Sequence, residues 1–494
     1  MAITPRPASL AARLFATASI EQLREDGQRM QLRRALNGRD LIAIGLGTMI
    51  GGGIFTTIGP GVAKAGPAII ISFLLAGLAS MFAALCYAEL GSMVPIAGSA
   101  YTYAYATLGQ VVAWIIGWDL ILEYGISAAP VAQQFSGSLQ SALSSFGFVL
   151  PKALQQAQFV SHGPWWAVGQ WDLAHSQYDL IGGAFVLLLS VLLSLGIRET
   201  ATSNNALVIL KIGALAVFVI AGLSLIHPSY LHPFSPLGWG RIAFGASGNG
   251  IVPAAALVFF TYIGFDAATT TAEECGNPSR DVPVGVLGSL VIGTLIYCTV
   301  AIVLVAIVPW QKVDQNNALV AALAPLHNPL ITWIITIGVL TGTTSVALTS
   351  LLGQTRIFYV MARDGMLPPF VAAVNPRFKT PVRMTMLTGI VVALLTLIVP
   401  LDALLELVNI GTFSAFIIVC AGVIFLRYRR PELERPFRSP FVPLFPLCGI
   451  ALSLFLSTVG LGQFTWWRFV VWLIIGLAIY FLYGFRHARP ERRS

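Results

Sequence analysis

The sequence predicts an all-α membrane protein: twelve transmembrane helices, arranged as two inverted five-helix repeats followed by two additional C-terminal helices. Three observations predict it. Of 494 residues, 56% are hydrophobic and only 10% charged, with mean hydropathy +0.80, whereas a soluble domain carries about 25% charged residues. Twelve apolar stretches approach or exceed the roughly 20 residues that a helical crossing needs. Two of those stretches, the first and the sixth, are interrupted at matching places, Gly52 and Gly264 lying 212 residues apart.

Residues 1–40 are polar and Arg-rich, with an amphipathic pattern around Ser19 to Leu36. Five spans follow at 41–61, 67–92, 104–130, 179–197 and 204–226, making a first repeat over 41–228. The second repeat, 245–428, holds spans at 250–272, 284–308, 331–358, 383–400 and 404–427. Spans at 442–461 and 469–486 form the extra pair within 440–486, and residues 487–494 are a tail. The basic leader, first apolar run and "AKA" (Ala63 to Ala65) imitate a signal peptide, but leader and run are too long and further spans follow at once.

Basic residues orient the chain. With the N-terminus in the cytoplasm, the inner segments hold 23 of the 29 Lys and Arg and the outer segments 5, Lys211 lying within a span. That asymmetry puts both termini inside a cell membrane and accounts for the net charge of +8 without a nucleic-acid or other acidic partner. The five cysteines show neither metal-ligand nor disulfide spacing, and all six histidines fall in loops or the tail. A metal or haem centre within the membrane is therefore not expected.

The first span contains "GTMIGGGIF" (Gly47 to Phe55). Each glycine costs a helix about 1 kcal/mol relative to alanine, so Gly51, Gly52 and Gly53 should break it in mid-membrane. Non-helical backbone at that depth survives only where it is buried in protein or lines a wet cavity. The sixth span, "LVFFTYIGFDAATT" (Leu257 to Thr270), is interrupted by Thr261, Gly264 and Asp266. Paired broken helices are the mark of transporters built from inverted repeats. The competing reading is close helix packing, because Gly47-x-x-x-Gly51 is also a small-residue contact motif. Amides freed around Gly51 to Ile54 suit a carboxylate, and carbonyls freed near Met49, Ile50 and Phe260 to Ile263 suit an ammonium. An α-amino acid carries both.

Four segments carry a resemblance: "GTMIGGGIF", "GWDLILEYG" (Gly117 to Gly125), "FFTYIGFDAATTTAEECGNPSRDVP" (Phe259 to Pro283) and "GQTRIFYVMARDGMLPP" (Gly353 to Pro369). Over residues 35 to 485 the chain resembles a bacterial member of the cationic amino acid transporter branch of the amino acid–polyamine–organocation superfamily. The resemblance implies a LeuT-like fold and amino acid transport across the lipid bilayer. It implies substrate contacts at Thr48, Met49, Gly51, Gly52, Gly53, Phe260, Tyr262, Ile263 and Gly264. Gly52 stands where many relatives carry Ser or Thr, so the hydroxyl contact of the family does not carry over there.

Lys211, in "NNALVILKIGALAVFVIAG" (Asn204 to Gly222), is costly at about 2.5–3.5 kcal/mol for a central lysine. One reading has it snorkel to the interface. The resemblance favours another, in which its ammonium fills the place of the sodium ion of sodium-coupled relatives, bridging the first and eighth spans. Burial disfavours an ammonium, so a lysine there can release and rebind a proton. No cofactor is expected; the chain is expected to be a secondary transporter working by alternating access, proton-coupled or by exchange, with the proton and not sodium as coupling ion. Asp119 and Glu123, four apart on the third span, share a face; one is protonated, paired with Lys211 or near water, and Glu123 is the better candidate for proton coupling. Glu273, Glu274, Arg280 and Asp281 form either an inner gate of ion pairs or a solvated helix end. On the eighth span, Thr344 and Ser345 are candidate contacts of Lys211, and Ser350 of the side-chain pocket.

No filter loop or Arg-rich voltage sensor speaks for a channel. No intramembrane His, acid–nucleophile pair or metal cluster speaks for an enzyme. A sodium symporter of the same fold is the remaining alternative, separated by Lys211 alone.

Overall fold

The computed structural model describes residues 36–93, 99–144, 146–158, 176–196, 201–246, 248–270, 272, 275–378 and 380–488. The expected amphipathic stretch before Leu36, the pair Glu273 and Glu274, and residues 489–494 lie outside them. Among the described residues all regular structure is helical, apart from two isolated bridges, Leu36 with Cys275 and Gln158 with Gln177.

Helix α1 (Gly38–Ala65) starts in a capping box: the Asn37 side chain accepts from the amides of Arg39 and Asp40, and the Asp40 carboxylate accepts from Asn37 N. Those bonds supply partners that the first turn of a helix otherwise lacks. A short turn at Gly66–Ala68 leads to α2 (Ile69–Met93), followed by α3 (Ser99–Thr107). Gly109, at φ +98°, turns the chain into α4 (Gln110–Leu120), which runs through a π-helical turn (Ile121–Ile126) into α5 (Ala128–Ser144). The third span therefore covers 110–144 rather than 104–130. Its amide- and serine-rich C-terminal end continues as helix, and the turn at Gly109 removes its expected beginning.

The remaining helices are α6 (Leu180–Ser194), α7 (Ala201–Gly222), α8 (Ile251–Val258), α9 (Ala267–Thr270), α10 (Pro278–Ile307), α11 (Ala318–Ala322), α12 (Pro329–Arg363), α13 (Val382–Ile398), α14 (Leu401–Arg429), α15 (Leu444–Gly460) and α16 (Gln463–Ile479). Eight stretches among the described residues are long and apolar enough to cross a membrane, one of them, Gly38–Met93, comprising α1 and α2. α6, α13 and α15 are shorter apolar helices. Large aliphatic side chains such as Leu74, Ile209, Ile220 and Leu295 lie exposed on the outside, the surface a hydrocarbon solvent favours.

The helices pack in two groups. α1, α2, α8 and α10 lie against one another, and α5, α6, α12 and α13 form the second group. α1 crosses α12 where Gly51 meets Gly342; a Cβ on Gly51 would lie 2.5 Å from Gly342 O. α7 runs beside α1 and α12, and α14 beside α2, α4 and α15. At the end of α1 beyond the break, the loop after α10 sits directly on the backbone: a Cβ on Gly59 would lie 2.6 Å from Gln315 O and 2.8 Å from Asp314 O.

At the opposite end, one carboxylate ties α2 to α14. Glu89 is 1% exposed and accepts from Arg427 Nε (2.9 Å), Arg427 Nη2 (2.7 Å) and Ser439 N (2.8 Å), with Arg435 Nε 3.4 Å away. The bidentate fork fixes the angle between the two helices as well as their distance. Breaking a buried ion pair costs about 3–5 kcal/mol, and less where one partner keeps some water, as Arg427 does. Glu89→Gln is therefore expected to lower Tm by several degrees in detergent, while Glu432→Gln, on an exposed pair, leaves it unchanged. Equal melting of the two variants would remove Glu89 from the list of stabilising contacts.

Candidate functional site

Both expected interruptions are real, and each falls on one dipeptide. In α1 the helix breaks at Ile50 (φ −85°, ψ 116°) and Gly51 (φ 135°, ψ −61°). After α8, a 3₁₀ turn over Phe259–Tyr262 ends at Ile263 (φ −65°, ψ 132°) and Gly264 (φ 111°) before the chain resumes in α9. Of the three consecutive glycines Gly51, Gly52 and Gly53, only Gly51 occupies the left-handed region. The other two are small for different reasons: a Cβ on Gly52 would lie 2.6 Å from Val346 Cγ1, and one on Gly53 2.5 Å from the Thr261 Cα. Two backbones thus meet at the break with no room for a side chain between them.

The breaks are tied directly together. Thr48 Oγ1 donates to Gly264 O at 2.7 Å, across 216 residues of sequence. Other carbonyls released by the breaks find side-chain donors. An unbroken α1 would pair Gly47 O with the amide of Gly51; instead Lys211 Nζ donates to Gly47 O at 2.9 Å. Tyr297 OH donates to Thr261 O at 3.0 Å, and Asn409 Nδ2 to Ala256 O (2.7 Å) and Leu257 O (3.2 Å). Lys211 is fully buried, and its head runs to the break instead of to an interface, so it does not snorkel.

A cavity of about 40 Å³ lies between the two helix groups at the level of the breaks. Of the residues singled out in sequence, Thr48, Gly53, Phe260, Ile263, Gly264 and Glu123 line it, and so does Ser350. Met49, Gly51, Gly52 and Tyr262 do not. Met49 packs towards Gly293 on α10, and the Tyr262 hydroxyl donates to Phe73 O at 2.8 Å. Tyr124, Ser127, Ala267, Val346 and Thr349 complete the wall. Tyr124 and Ala267 carried a signal, lying inside the quoted "GWDLILEYG" and "FFTYIGFDAATTTAEECGNPSRDVP"; Val346 is an ordinary apolar helix position and carried none.

Glu123 sits in the π-helical turn, 2% exposed, with Oε2 lacking a hydrogen-bond partner. Such turns widen a helix locally and recur at functional sites. Asp119, fully buried one turn earlier, does not reach the cavity; its Oδ2 accepts from Ser414 Oγ at 2.7 Å and its Oδ1 has no partner. No ion pair holds either carboxylate among the described residues. Thr344 Oγ1 donates to Leu340 O in its own helix. Below the cavity, Tyr124 OH donates to Asp266 Oδ2 at 2.6 Å, joining the two helix groups. No group of His, Cys, Asp and Glu among the described residues could hold a metal ion, and all five cysteines are free.

Thr48→Val removes the tie between the breaks and leaves Gly264 O without its donor, which costs about 1–3 kcal/mol for a buried acceptor. The expected outcome is faster amide hydrogen exchange over Ile263 to Phe265 and a lower Tm. Unchanged protection there would mean that the tie contributes nothing.

The amino acid permease family matches residues 36–480 of the chain. The chain is 43% identical over 461 residues to the branched-chain amino acid permease BcaP of Bacillus subtilis (strain 168), covering 93% of this chain and 94% of that one. It is 39% identical over 478 residues to the methylthioribose transporter of the same strain, covering 96% and 98%. It is 35% identical over 423 residues to vacuolar cationic amino acid transporter 4 of Arabidopsis thaliana, covering 84% and 66%. Helices of membrane length and relatives that carry solutes make this a multi-pass membrane protein and not an enzyme. The family match runs through both breaks and through the lysine between them, and the chain belongs to the amino acid permease family of the amino acid–polyamine–organocation superfamily.

Proposed function

We propose that the protein is a proton-coupled secondary transporter that moves neutral aliphatic L-amino acids across the cell membrane by alternating access. The family supports amino acid transport. One observation carries the coupling: the buried Lys211 ammonium occupies the carbonyl that the break in α1 releases, with Nζ 2.9 Å from Gly47 O. Proton loss from that ammonium replaces a charge-assisted bond with a weaker one, so the charge on Lys211 is linked to the geometry of the break. The amides of Gly51, Gly52 and Gly53 receive the substrate carboxylate, and the backbone from Phe260 to Gly264 receives its ammonium. Met49 and Tyr262 act behind that backbone, as packing that holds it in place.

The side chain of the substrate then faces Phe260, Ile263, Ala267 and Val346, an apolar wall that suits aliphatic groups. The 43% identity to a branched-chain permease points the same way. Glu123, in the same wall, is the second proton-coupling group. The central cavity is small, about 40 Å³, and in this reading the two helix groups part when substrate enters. The loop over Gly59 closes one side and the Tyr124–Asp266 bond the other, as expected of a form closed at both ends.

Reading α1 and α2 as separate crossings and adding the three shorter apolar helices gives the twelve spans of two five-helix repeats and an extra pair. In that arrangement the broken α1 pairs with broken α8, and the 35-residue stretch Gln110–Ser144 with the 35-residue α12. The Arg-rich loops put both termini in the cytoplasm. One charge moving down 100 mV supplies about 2.3 kcal/mol, enough for an accumulation between about ten- and a hundredfold.

The test is uptake of labelled leucine, alanine and arginine by the purified protein in liposomes, in sodium-free buffer, with and without an inward proton gradient. An inward gradient is expected to stimulate wild-type leucine uptake above alanine and arginine. Lys211→Ala is expected to abolish the stimulation while the protein stays folded. Uptake that appears only when sodium is added would overturn the proton reading, and a preference for arginine would overturn the substrate class.

A further inference from the structure

A polar cavity lies away from the breaks, at the end of the molecule that carries Gly59 and the loop over it. It measures about 300 Å³ and is bounded by α5, Asp179 at the start of α6, residues 148–150 and 155–157, and Asn316–Asn317. It shares no lining residue with the central cavity.

Its wall is unusual in what it offers. Each of four glutamine side chains uses its amide nitrogen on a backbone carbonyl: Gln133 Nε2 on Thr396 O (2.9 Å) and Val399 O (2.8 Å), Gln134 Nε2 on Asn316 O (2.8 Å), Gln140 Nε2 on Gln155 O (2.7 Å), and Gln155 Nε2 on Leu150 O (2.7 Å). A backbone carbonyl only accepts, so each amide is fixed in orientation and its Oε1 is turned elsewhere. None of those four oxygens accepts a hydrogen bond among the described residues, and none is sealed off from solvent. Asp179 adds a charge. It is 2% exposed, its Oδ1 accepts from Ser136 Oγ (2.5 Å) and Gly182 N (2.8 Å), and its Oδ2 accepts from nothing described. Among the described residues no Lys or Arg lines the cavity.

Free amide oxygens and one buried carboxylate make a surface that favours a cation over an anion. We propose that this cavity is a second binding site, for an organic cation bearing a primary ammonium or guanidinium group on a short alkyl chain. The volume excludes a bare inorganic ion as the fitted occupant, since about 300 Å³ is the lower end of the range for small-molecule sites. A free carboxylate on the ligand would meet the Asp179 carboxylate and the four amide oxygens, so an amine without one fits better than a zwitterion. Because Gln134 holds the Asn316 carbonyl, and Asp314 and Gln315 sit on Gly59, the occupant lies against the loop that closes α1.

The experiment is isothermal titration of the purified full-length protein in detergent with agmatine, in the presence of saturating leucine. Asp179→Asn keeps the helix cap, since asparagine caps as well as aspartate, but removes the charge. Gln140→Lys puts a tethered ammonium into the cavity while retaining a donor for Gln155 O. Saturable agmatine binding is expected with leucine present, about tenfold weaker in Asp179→Asn, as for one lost charge-assisted bond, and absent in Gln140→Lys. Arginine, with its carboxylate, should bind more weakly than agmatine. The proposal is overturned by no saturable binding at millimolar agmatine, by displacement with leucine, by equal affinity in both variants, or by arginine binding the tighter.

Discussion

Inside a hydrocarbon solvent a backbone amide or carbonyl has no water to turn to, and each one released from a helix must be answered by the protein or by a ligand. The breaks at Ile50–Gly51 and Ile263–Gly264 release several at once. Much of the neighbouring architecture can be read as the reply. Lys211, Tyr297, Asn409 and Thr48 each reach from another segment to a carbonyl at or beside a break, and they come from α7, α10, α14 and α1. Helices far apart in sequence are therefore positioned by the needs of a few peptide groups.

The same accounting explains why close packing and helix interruption are not rival readings here. Gly51 is needed for its backbone conformation, whereas Gly52 and Gly53 are needed for the absence of a side chain against Val346 and Thr261. A triplet that reads as one signal in sequence performs two tasks. The contact at Gly342 couples them, because α12 can approach only where α1 has turned aside.

How much was legible followed from the range of the signal. Glycine runs and a lone lysine in an apolar stretch are local anomalies, and the breaks and the buried Lys211 were readable from them. The partners were not. Asn409 bonds carbonyls more than 150 residues away, and nothing around it distinguishes it from a polar residue lining a helix contact. The Glu89 clamp was missed because its arginines counted only as topology markers. The π-helical turn at Ile121–Ile126 is decided by packing against α12 and α14, not by its own composition. Val346 entered the cavity wall by register alone.

The contact over Gly59 has a consequence for selectivity. Carbonyls of Asp314 and Gln315 rest on a residue with no side chain, so this closure is main chain against main chain. A seal of that kind is blind to the cargo: it fits equally whatever is enclosed beneath it. Under the proposed function, discrimination between solutes falls to the walls further in, such as Val346 and Ala267. Chains of this architecture can therefore exchange one cargo for another through a few wall substitutions while the door itself stays the same, and relatives that carry such different solutes are what that division of labour permits.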